Sequence, residues 1–378
     1  MTAGGAVRLP RERTVAFGFE DVADETADWH AVRARLGEVN ATGVTISVGR
    51  ADWLAFPLDG ASGWESSVVA RTGRDFVREA VAGLDGLAVT LVVDALAPRA
   101  IERDPALAGR TVAGEPSAEF LAVSALDGGY FGAHLEGICR EVARRYGPER
   151  ISLTELMFDD ATFGSGDRAH FTAHTGRPGF PTREDGEIDV NHPAIHRWRA
   201  ESLARVTGRV SEQVAEFDVP VEMDVRVNWE DPDGDRADSG HDYGLLLGSV
   251  DRLSVWNYFA LGDRDPSYGA ELVASLRRRF GDRAVMSTGL WSRGGAVVSP
   301  RDMSASLGAV AAAGAHAVSV IPASLMGEEH WQALADTWSD DTDVPPAGFT
   351  APRARGPGPP PRSARSRRAC RRRGRGAS

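Results

Sequence analysis

Three carboxylates lie close together in the segment ISLTELMFDDATFG, residues 151–164. Glu155 stands in an apolar run, and Asp159 and Asp160 follow as an adjacent pair. Adjacent carboxylates raise each other's pKa, and burial raises the pKa of both. One member of such a pair can hold a proton near neutral pH, as general acid catalysis requires. The types and spacing of these residues therefore predict a proton donor in this segment.

An apolar run can carry these carboxylates because the two faces of a strand differ. The run predicts a strand over 150–160, in which alternate side chains face opposite sides. Leu156 and Phe158 then face a layer of helices, whereas Glu155 and Asp159 point to the other side. The carboxylates would thus occupy the inner face of a strand whose outer face is apolar.

Further charged residues fall on the same inner side of other predicted strands. They are Glu20, Arg50, Asp94, Glu222, Asp224 and Arg226. Burying so many charges costs several kcal/mol for each unless they are paired. One interpretation is therefore an ion-pair network that joins Glu222 and Asp224 to Arg226 and Arg50. We expect Glu155 to pair with one of these two arginines as well.

Aromatic and amide side chains fall at or just beyond the ends of the same strands. They are Trp53, Trp229, Trp256, Tyr258 and Trp291, together with Asn228 and Asn257. Flat aromatic faces pack against sugar rings, and a pair of carboxylates can cleave a glycosidic bond. The combination predicts a carbohydrate site. The residues expected to position the sugar there also include Glu20, Arg50, Asp94 and Arg226.

Eight strand-like apolar runs position these residues, and helical patterns lie between them. The runs are 13–21, 43–50, 87–96, 150–160, 219–229, 252–260, 283–291 and 316–325. The helical patterns are 28–39, 67–84, 131–146, 193–216, 267–280, 301–314 and 329–338, with a short one near 241–248. Eight alternations predict an α/β fold, the (β/α)8 or TIM barrel, with long loops at the carboxyl-terminal face where barrels place active sites. An open doubly wound sheet is the competing fold, but the first strand lacks its glycine-rich turn.

The 378 residues are expected to form an amino-terminal arm at 1–12, a barrel at 13–340 and a disordered tail at 341–378. The tail is rich in arginine, proline and glycine, a composition that cannot bury a core. From residue 351 onward it has ten arginines and no acidic residue, so the formal net charge of −11 leaves −21 on the rest. An acidic body argues against a nucleic-acid partner.

The sequence also limits the cellular location and the types of reaction that we expect for the protein. The sequence contains no run of about 18 apolar residues, which is the length that a membrane-spanning helix needs. The amino terminus also lacks the pattern of a secretory signal. A cytoplasmic location is therefore expected. Cys139 and Cys370 fall in a helical segment and in the tail, so a disulfide is not expected. Lysine is absent, which excludes Schiff-base chemistry through the protein's own lysine. We expect no cofactor, and the oligomeric state stays open.

The segment 120–164 resembles a signature of bacterial glycosyl-hydrolase-like barrels. In that signature a helix leads to a tyrosine, here Tyr146, and the next strand closes in an aspartate pair, here Asp159 and Asp160. The families are the family-10-like glycosidases and the barrel that cleaves partly deacetylated poly-N-acetylglucosamine. The run LSVWNYFA at 253–260 resembles their sixth strand. The resemblance implies a glycoside hydrolase that acts on an oligosaccharide or polysaccharide.

The resemblance also implies roles for single residues. In these families one acid of the pair donates a proton to the leaving group, and this role falls on Asp159 or Asp160. The large retaining clan has carboxylates on strands four and seven, but the predicted seventh strand has none. We therefore expect the second carboxylate to be Asp224. Two lesser candidates are Glu20 and Asp94.

Two other functions stay open. The histidine pairs 170/174 and 192/196 have helical i, i+4 spacing, and glycines follow the seventh strand. A metal-dependent or phosphate-binding barrel enzyme is therefore one alternative. Both histidine pairs lack the glutamate of the zinc-binding HExxH motif, so no metal is expected. The other alternative is a barrel that binds sugar without cleaving it.

Overall fold

The structure is a computed structural model that describes residues 8–58 and 63–339. Eight parallel strands form its central sheet: β1 (Glu12–Phe17), β2 (Gly43–Arg50), β3 (Ala88–Asp94), β4 (Arg150–Thr154), β5 (Val221–Val225), β6 (Arg252–Asn257), β7 (Ala284–Gly289) and β8 (Ala317–Ile321). β1 pairs in parallel with both β2 and β8, so the sheet closes on itself. The predicted (β/α)8 barrel is confirmed.

Helices connect the strands and cover the outside of the barrel. The longer ones are Trp29–Glu38, Phe76–Gly83, Tyr130–Tyr146, Ser165–Thr175, Pro193–Val214, Tyr268–Phe280, Pro300–Ala312 and Glu328–Thr337. The shorter ones are Phe19–Val22, Ser67–Thr72, Pro98–Arg103, Val123–Leu126 and Tyr243–Leu246. Side-chain oxygens cap several of their amino termini, as Asp28 and Ser299 do, because the first backbone N–H groups of a helix lack partners inside it.

The strands alternate between an apolar outer face and a polar inner face. Ile151 and Leu153 of β4 are fully buried in the hydrophobic core, whereas Ser152 and Thr154 line the barrel interior. The interior of most barrels is packed with bulky branched side chains. Here small hydroxyl side chains take many of those positions, and they leave an open cavity along the barrel axis.

β4 is shorter than the sequence predicted. It ends at Thr154, and residues 155–160 form no regular strand, so the alternation predicted for them does not hold. The backbone explains the early end because Glu155 and Asp159 have φ angles of 55° and 38°. These values lie in the left-handed region, which ends a strand and is uncommon for residues other than glycine.

A small antiparallel sheet in the loop after β3 was not predicted. Its two strands, Ala108–Arg110 and Pro116–Leu121, alternate little between apolar and polar residues. The backbone N–H of Phe163 donates to the carbonyl of Arg110 at 2.8 Å, so this sheet supports the loop after β4. A side chain at Gly109 would collide with the carbonyl of Ala161, at 2.3 Å.

Two of the expected parts lie at or beyond the edge of what the structure describes. The amino-terminal arm is described from residue 8, and β1 begins at Glu12. The predicted tail, 341–378, lies outside the described residues. In the part of the chain that is described, no helix is both long and apolar enough to cross a membrane.

Candidate active site

A cavity of about 460 Å³ opens at the carboxyl-terminal end of the barrel and runs into its interior. Three carboxyl side chains line it together, those of Asp94, Glu155 and Asp224. Asp94 is the last residue of β3, Glu155 directly follows β4, and Asp224 is the next-to-last residue of β5. The barrel thus brings together on one cavity wall acids that lie far apart in the sequence.

Glu155 reaches the cavity because of its backbone conformation. Simple alternation after Thr154, which also lines the cavity, would have turned Glu155 outward. The positive φ at Glu155 breaks this alternation, and Glu155 and Thr154 both line the cavity. Backbone strain of this kind costs about 1–3 kcal/mol and is concentrated at functional sites.

The expected ion pair of Glu155 with Arg226 or Arg50 is wrong. Among the described residues Glu155 forms no ion pair, because Arg226 binds Asp159 and Arg50 lies 3.3 Å from Asp52. Burial raises the pKa of Glu155 to about 7, and the negative charges of Asp94 and Asp224 add to the rise, while Arg226 opposes it. Glu155 is therefore kept neutral by protonation rather than by an arginine.

Asp94 and Asp224 also have raised pKa values. Burial raises the pKa of Asp94 to about 7. A hydrogen bond from the backbone N–H of Leu96 to Asp94 Oδ1, at 2.8 Å, lowers this pKa but does not outweigh burial. Burial also raises the pKa of Asp224, to about 6, although hydrogen bonding to Ser254 opposes this. The nearby charge of Glu222 adds to the rise. All three cavity carboxyls therefore hold a proton more tightly than an exposed carboxyl does.

Aromatic rings line the same cavity as the three carboxyls and form its aromatic wall. The rings of Trp256 and Tyr258 stack at 5.1 Å with an interplanar angle of 5°, and Trp291 contacts Tyr258 at 5.3 Å. Gly289 makes room for this arrangement, because a Cβ there would lie 2.3 Å from Tyr258. Burial and the charges of Asp224 and Glu155 hold the pKa of Tyr258 well above its usual range, so its hydroxyl stays neutral.

The aspartate pair takes a different place from the one expected. Asp159 accepts hydrogen bonds from Arg226 Nη1 at 2.7 and 2.8 Å and from Ser239 Oγ at 2.9 Å. Asp160 is exposed, and neither residue lines the cavity. The pair is therefore not the buried, unpaired carboxylate pair that the sequence predicted, because Asp159 is ion-paired with Arg226 and Asp160 faces solvent.

Arg226 links the pair to the cavity. Its guanidinium lies over the ring of Trp256, 5.8 Å from the centroid, while Asp159 holds it from the other side. Its charge also lowers the pKa of Glu155. Arg226 thus touches the aromatic wall and influences the proton on Glu155, although it does not line the cavity itself.

His241 joins the segment after β4 to the segment after β5. Its Nδ1 accepts from the backbone N–H of Arg226 at 3.0 Å, and its Nε2 lies 3.1 Å from the carbonyl of Leu156, to which it donates. Burial lowers the pKa of His241 to about 4, so the ring is neutral at physiological pH and can accept and donate at once. The backbone that carries Glu155 is held by this imidazole.

We predict that His241→Ala lowers the free energy of unfolding by about 2–4 kcal/mol, because it leaves two buried backbone groups unpaired and opens a cavity. Urea unfolding followed by circular dichroism measures the change. His30→Ala, at an exposed position, is the control and should change stability by less than about 0.5 kcal/mol. Equal stability of the two variants would contradict this role of His241.

The remaining predicted residues fall into three groups. Glu20, Trp256, Tyr258 and Trp291 line the cavity with the three carboxyls. Arg50 and Trp53 lie one step behind it: both contact Phe19, a cavity residue, at 5.4 and 4.8 Å. Asn228 and Asn257 are not cavity residues. Asn257 is fully buried, and its Nδ2 donates to Ser306 Oγ at 3.0 Å.

The ion pairs predicted for Glu222 and Asp224 with Arg226 and Arg50 are not formed. Glu222 is ion-paired with Arg252, which in turn binds Glu12 at 2.6 Å. Glu222 is therefore neutralised by the next strand and not by Arg226 or Arg50. Asp224 has no arginine partner among the described residues, so no adjacent cation offsets the burial that raises its pKa.

Sequence reasoning missed the hydroxyl residues of the cavity. They are Thr14, Thr45, Ser47, Ser152, Thr154, Ser254, Ser287, Ser319 and Ser324. A signal was present in two predicted strands, where hydroxyl residues stand two positions apart: Thr45 and Ser47 in one, and Ser152 and Thr154 in the other. His241 carried no comparable signal, since its two partners are backbone groups that only the fold brings together.

The histidine pairs have structural partners. His170 lies between Trp198, whose Nε1 donates to His170 Nδ1 at 2.9 Å, and Asp127, 3.2 Å from His170 Nε2. His192 caps the helix that starts at Pro193. Across residues 8–58 and 63–339, no group of three or more histidine, cysteine, aspartate or glutamate side chains is arranged to hold a metal ion.

Comparison with solved structures finds the same barrel in glycoside hydrolases. The glycoside hydrolase domain of PgaB (BpsB) from Bordetella bronchiseptica matches with a TM-score of 0.67 and 15% identity, over 88% of this chain and 99% of that one. A β-galactosidase from the psychrophilic Marinomonas ef1 matches with a TM-score of 0.65 and 13% identity, over 86% and 59%. The α-L-fucosidase isoenzyme 2 of Paenibacillus thiaminolyticus matches with a TM-score of 0.61 and 15% identity, over 87% and 49%.

These matches confirm the resemblance as a likeness of fold. The chain spans nearly all of the PgaB domain but only about half to three fifths of the galactosidase and fucosidase chains. No protein-family model and no curated protein sequence matches the chain. Matches at 13–15% identity show a shared barrel architecture and do not show a shared chemistry.

Proposed function

We propose that the protein is a glycoside hydrolase whose cavity carboxyls cleave a glycosidic bond. The observation that carries the proposal is the meeting of Asp94, Glu155 and Asp224 in one cavity beside a stacked Trp256–Tyr258 pair. Glycosidases use one protonated and one ionised carboxyl, and flat aromatic faces hold the sugar. The glycosidases that share the barrel support this choice of chemistry.

Glu155 is the general acid in this proposal. Its pKa of about 7 keeps a proton on it near neutral pH, and no ion pair among the described residues competes for its carboxyl group. Asp94 has a similar pKa, but one of its oxygens already accepts from the backbone N–H of Leu96. We therefore assign Asp94 to tuning the proton of Glu155 and not to donating one, because Asp94 raises the pKa of Glu155 whenever Asp94 itself is ionised.

Asp224 is the ionised partner. With a pKa of about 6 it carries a charge when Glu155 still holds its proton. As the bond between the anomeric carbon and the glycosidic oxygen breaks, the electron pair goes to that oxygen, which takes the proton of Glu155. Asp224 then acts on the positive charge that develops at the anomeric carbon, as nucleophile, base or electrostatic stabiliser, and water completes the hydrolysis.

Asp159 acts through Arg226 and not on the substrate. It holds the guanidinium over the Trp256 ring, where the positive charge limits how far the pKa of Glu155 rises. This is a positioning role, and it replaces the proton-donor role that the resemblance implied for the pair. Asp160, which is exposed, has no part in the proposed reaction.

The pH dependence of kcat/KM tests these roles. We predict a bell-shaped profile on a panel of disaccharides of galactose, fucose, glucose and N-acetylglucosamine, whose sugar leaving groups need a proton to depart. The rate should fall below about pH 6, where Asp224 becomes protonated, and above about pH 7, where Glu155 loses its proton. Asp94→Asn removes a negative charge that raises the pKa of Glu155, so it should move the alkaline limb to lower pH.

The control is Asp85→Asn, which removes an exposed carboxylate in the turn before β3 and should leave both limbs in place. A profile that stays flat from pH 5 to pH 8, or an alkaline limb that Asp94→Asn does not move, would contradict the assigned roles. Sugar binding without any turnover of the panel would favour a barrel that binds carbohydrate and does not cleave it.

A further inference from the structure

The cavity continues below the carboxyls, toward the amino-terminal end of the barrel. The strands run from that end to the mouth, so a residue two positions earlier in a strand lies about 6.6 Å deeper. Ser152, Ser254 and Ser319 each come two positions before another cavity residue, and they line the cavity as well. Thr14 of β1 and Thr45 of β2 line the same deeper part. We call the space between these five residues the lower chamber.

Paired charges form the floor of the lower chamber. Glu222 and Arg252 line the cavity there, and their side chains are only 7% and 13% exposed. Arg252, the first residue of β6, also binds Glu12 Oε2 at 2.6 Å, so two carboxylates share its charge. The guanidinium is therefore already neutralised at this end of the barrel. The lower chamber opens in the other direction, to the carboxyls of the candidate active site.

The hydroxyl groups of the lower chamber indicate the class of its ligand. Each hydroxyl can donate one hydrogen bond and accept two. Thr14 Oγ1 donates to the carbonyl of Val318 at 3.4 Å, which leaves its two acceptor sites for other partners. An apolar ligand would leave such buried groups unpaired, at a cost of about 1–3 kcal/mol for each. Water forms two to four hydrogen bonds in a polar site and satisfies them.

The size of the space also suits water. Bulky branched side chains fill this level in most barrels of this kind, whereas here the residues are serine and threonine. The whole cavity measures about 460 Å³. One water molecule takes about 30 Å³ in the liquid, so even a minor part of the cavity has room for several. The lower chamber can therefore hold a cluster of water molecules that bond to one another and to the hydroxyls.

Ser254 connects the lower chamber to Asp224. The two residues lie side by side in the register of β5 and β6, and the hydroxyl of Ser254 forms a hydrogen bond with the Asp224 carboxyl. The aromatic wall lies on the other side, toward the mouth, where the ring of Trp291 is exposed. A sugar packed against that wall blocks the path from bulk solvent to Asp224. Water then reaches Asp224 from the lower chamber.

We propose that the lower chamber is a binding site for a cluster of ordered water molecules, and that it supplies the water that completes hydrolysis. The supply rests on the proposed function, whereas the binding of water can be measured without turnover. The oxygen of the supplied water bonds to the anomeric carbon. Its proton passes to Asp224 if the water attacks directly, or to the ionised Glu155 if Asp224 already holds that carbon.

The test compares the double variant Ser152→Val, Ser319→Val with its matched control Ser152→Thr, Ser319→Thr. Valine and threonine have nearly the same shape, so the two proteins differ only in two hydroxyls. Oxygen-17 magnetic relaxation dispersion counts the water molecules that a protein holds for longer than it tumbles. We expect the valine variant to hold about two fewer than the threonine variant, one for each missing hydroxyl. Equal counts would overturn the water site, and the single pair Ser319→Val and Ser319→Thr repeats the comparison if a double variant does not fold.

Kinetics on a disaccharide tests the supply of water. The valine variant should have a kcat about 10-fold below that of the threonine variant, with KM within about 2-fold, because substrate binding is unchanged. Both limbs of the pH profile should stay in place, since the carboxyls are the same. Equal kcat despite the lost waters, or a moved limb, would overturn the supply. Waters lost from a protein that cleaves no sugar of the panel would support the water site and overturn the hydrolase.

Discussion

Glu155→Gln is expected to lower kcat on glycosides with a sugar leaving group by about 10²–10⁴-fold while the protein stays folded. Glutamine keeps the size of the side chain but cannot donate the proton that the departing oxygen needs. The backbone at Glu155, with its positive φ, is unchanged by the substitution. Initial rates at pH 6.5, where the proposal has Glu155 protonated and Asp224 ionised, measure the effect.

The same variant should be more stable than the parent at high pH. The pKa of Glu155 is raised from 4.5 to about 7 in the folded protein, so the folded state binds the proton more tightly than the unfolded state. Stability from this group is present at low pH and is lost as pH rises from about 4.5 to about 7. Glutamine cannot ionise, so the variant should gain roughly 1–3 kcal/mol at pH 8 and nothing near pH 4.

Glu149→Gln is the matched control for both measurements. Glu149 is exposed and directly precedes β4. The substitution therefore removes a carboxylate at the opposite end of the strand that Glu155 follows. Its activity and the pH dependence of its stability should match those of the parent. A Glu155→Gln enzyme with parental kcat, or one whose stability relative to the parent does not change with pH, would contradict the assignment of a buried proton to Glu155.

Asp224→Asn is expected to reduce kcat by about 10³-fold, because it removes the negative charge that acts on the anomeric carbon. Unlike the loss in Glu155→Gln, this loss should be similar for good and poor leaving groups, since developing positive charge is common to both. Rates on a dinitrophenyl glycoside and on a disaccharide of the same sugar measure the comparison. Asp85→Asn, which removes an exposed carboxylate in the turn before β3, is the control.

If Asp224→Asn keeps its activity, the role of second catalytic carboxyl belongs to another residue of the cavity. Asp94 and Glu20 line the same cavity and are the residues to test next. A variant that loses activity only because it unfolds is recognised by circular dichroism. Asp224 carries no arginine partner in the described structure, so the substitution leaves no unpaired cation, and we expect a folded protein.

The fold could be predicted because its sequence signal, an apolar run followed by a helical pattern, is local and is repeated eight times. β2 was predicted at 43–50 and begins and ends at those residues, since its apolar run has clear boundaries. The helix predicted at 67–84 is instead two helices, because Gly73 adopts a φ of 67° and ends the first of them. The small sheet after β3 could not be predicted, because Ala108–Arg110 is only three residues long and Pro116–Leu121 is mostly exposed and lacks an apolar alternation.

The site was predicted in part, for a physical reason. Asp94 and Asp224 lie inside regular strands, where alternation fixes the side that each residue faces. Glu155 reaches the cavity through a positive φ, and Asp159 turns to Arg226 in a segment without regular structure. Both depend on contacts such as that of His241 with Leu156, which join parts of the chain that the sequence does not show to be neighbours.

The most direct test of the central claim compares the effect of Glu155→Gln on two substrates with the same sugar. One has a sugar leaving group, whose departure needs a proton, and the other has a 2,4-dinitrophenyl leaving group, whose departure does not. If Glu155 is the general acid, the variant should lose about 100-fold or more in kcat/KM on the first and less than about 10-fold on the second. Equal losses on the two substrates would contradict the claim that Glu155 delivers the proton.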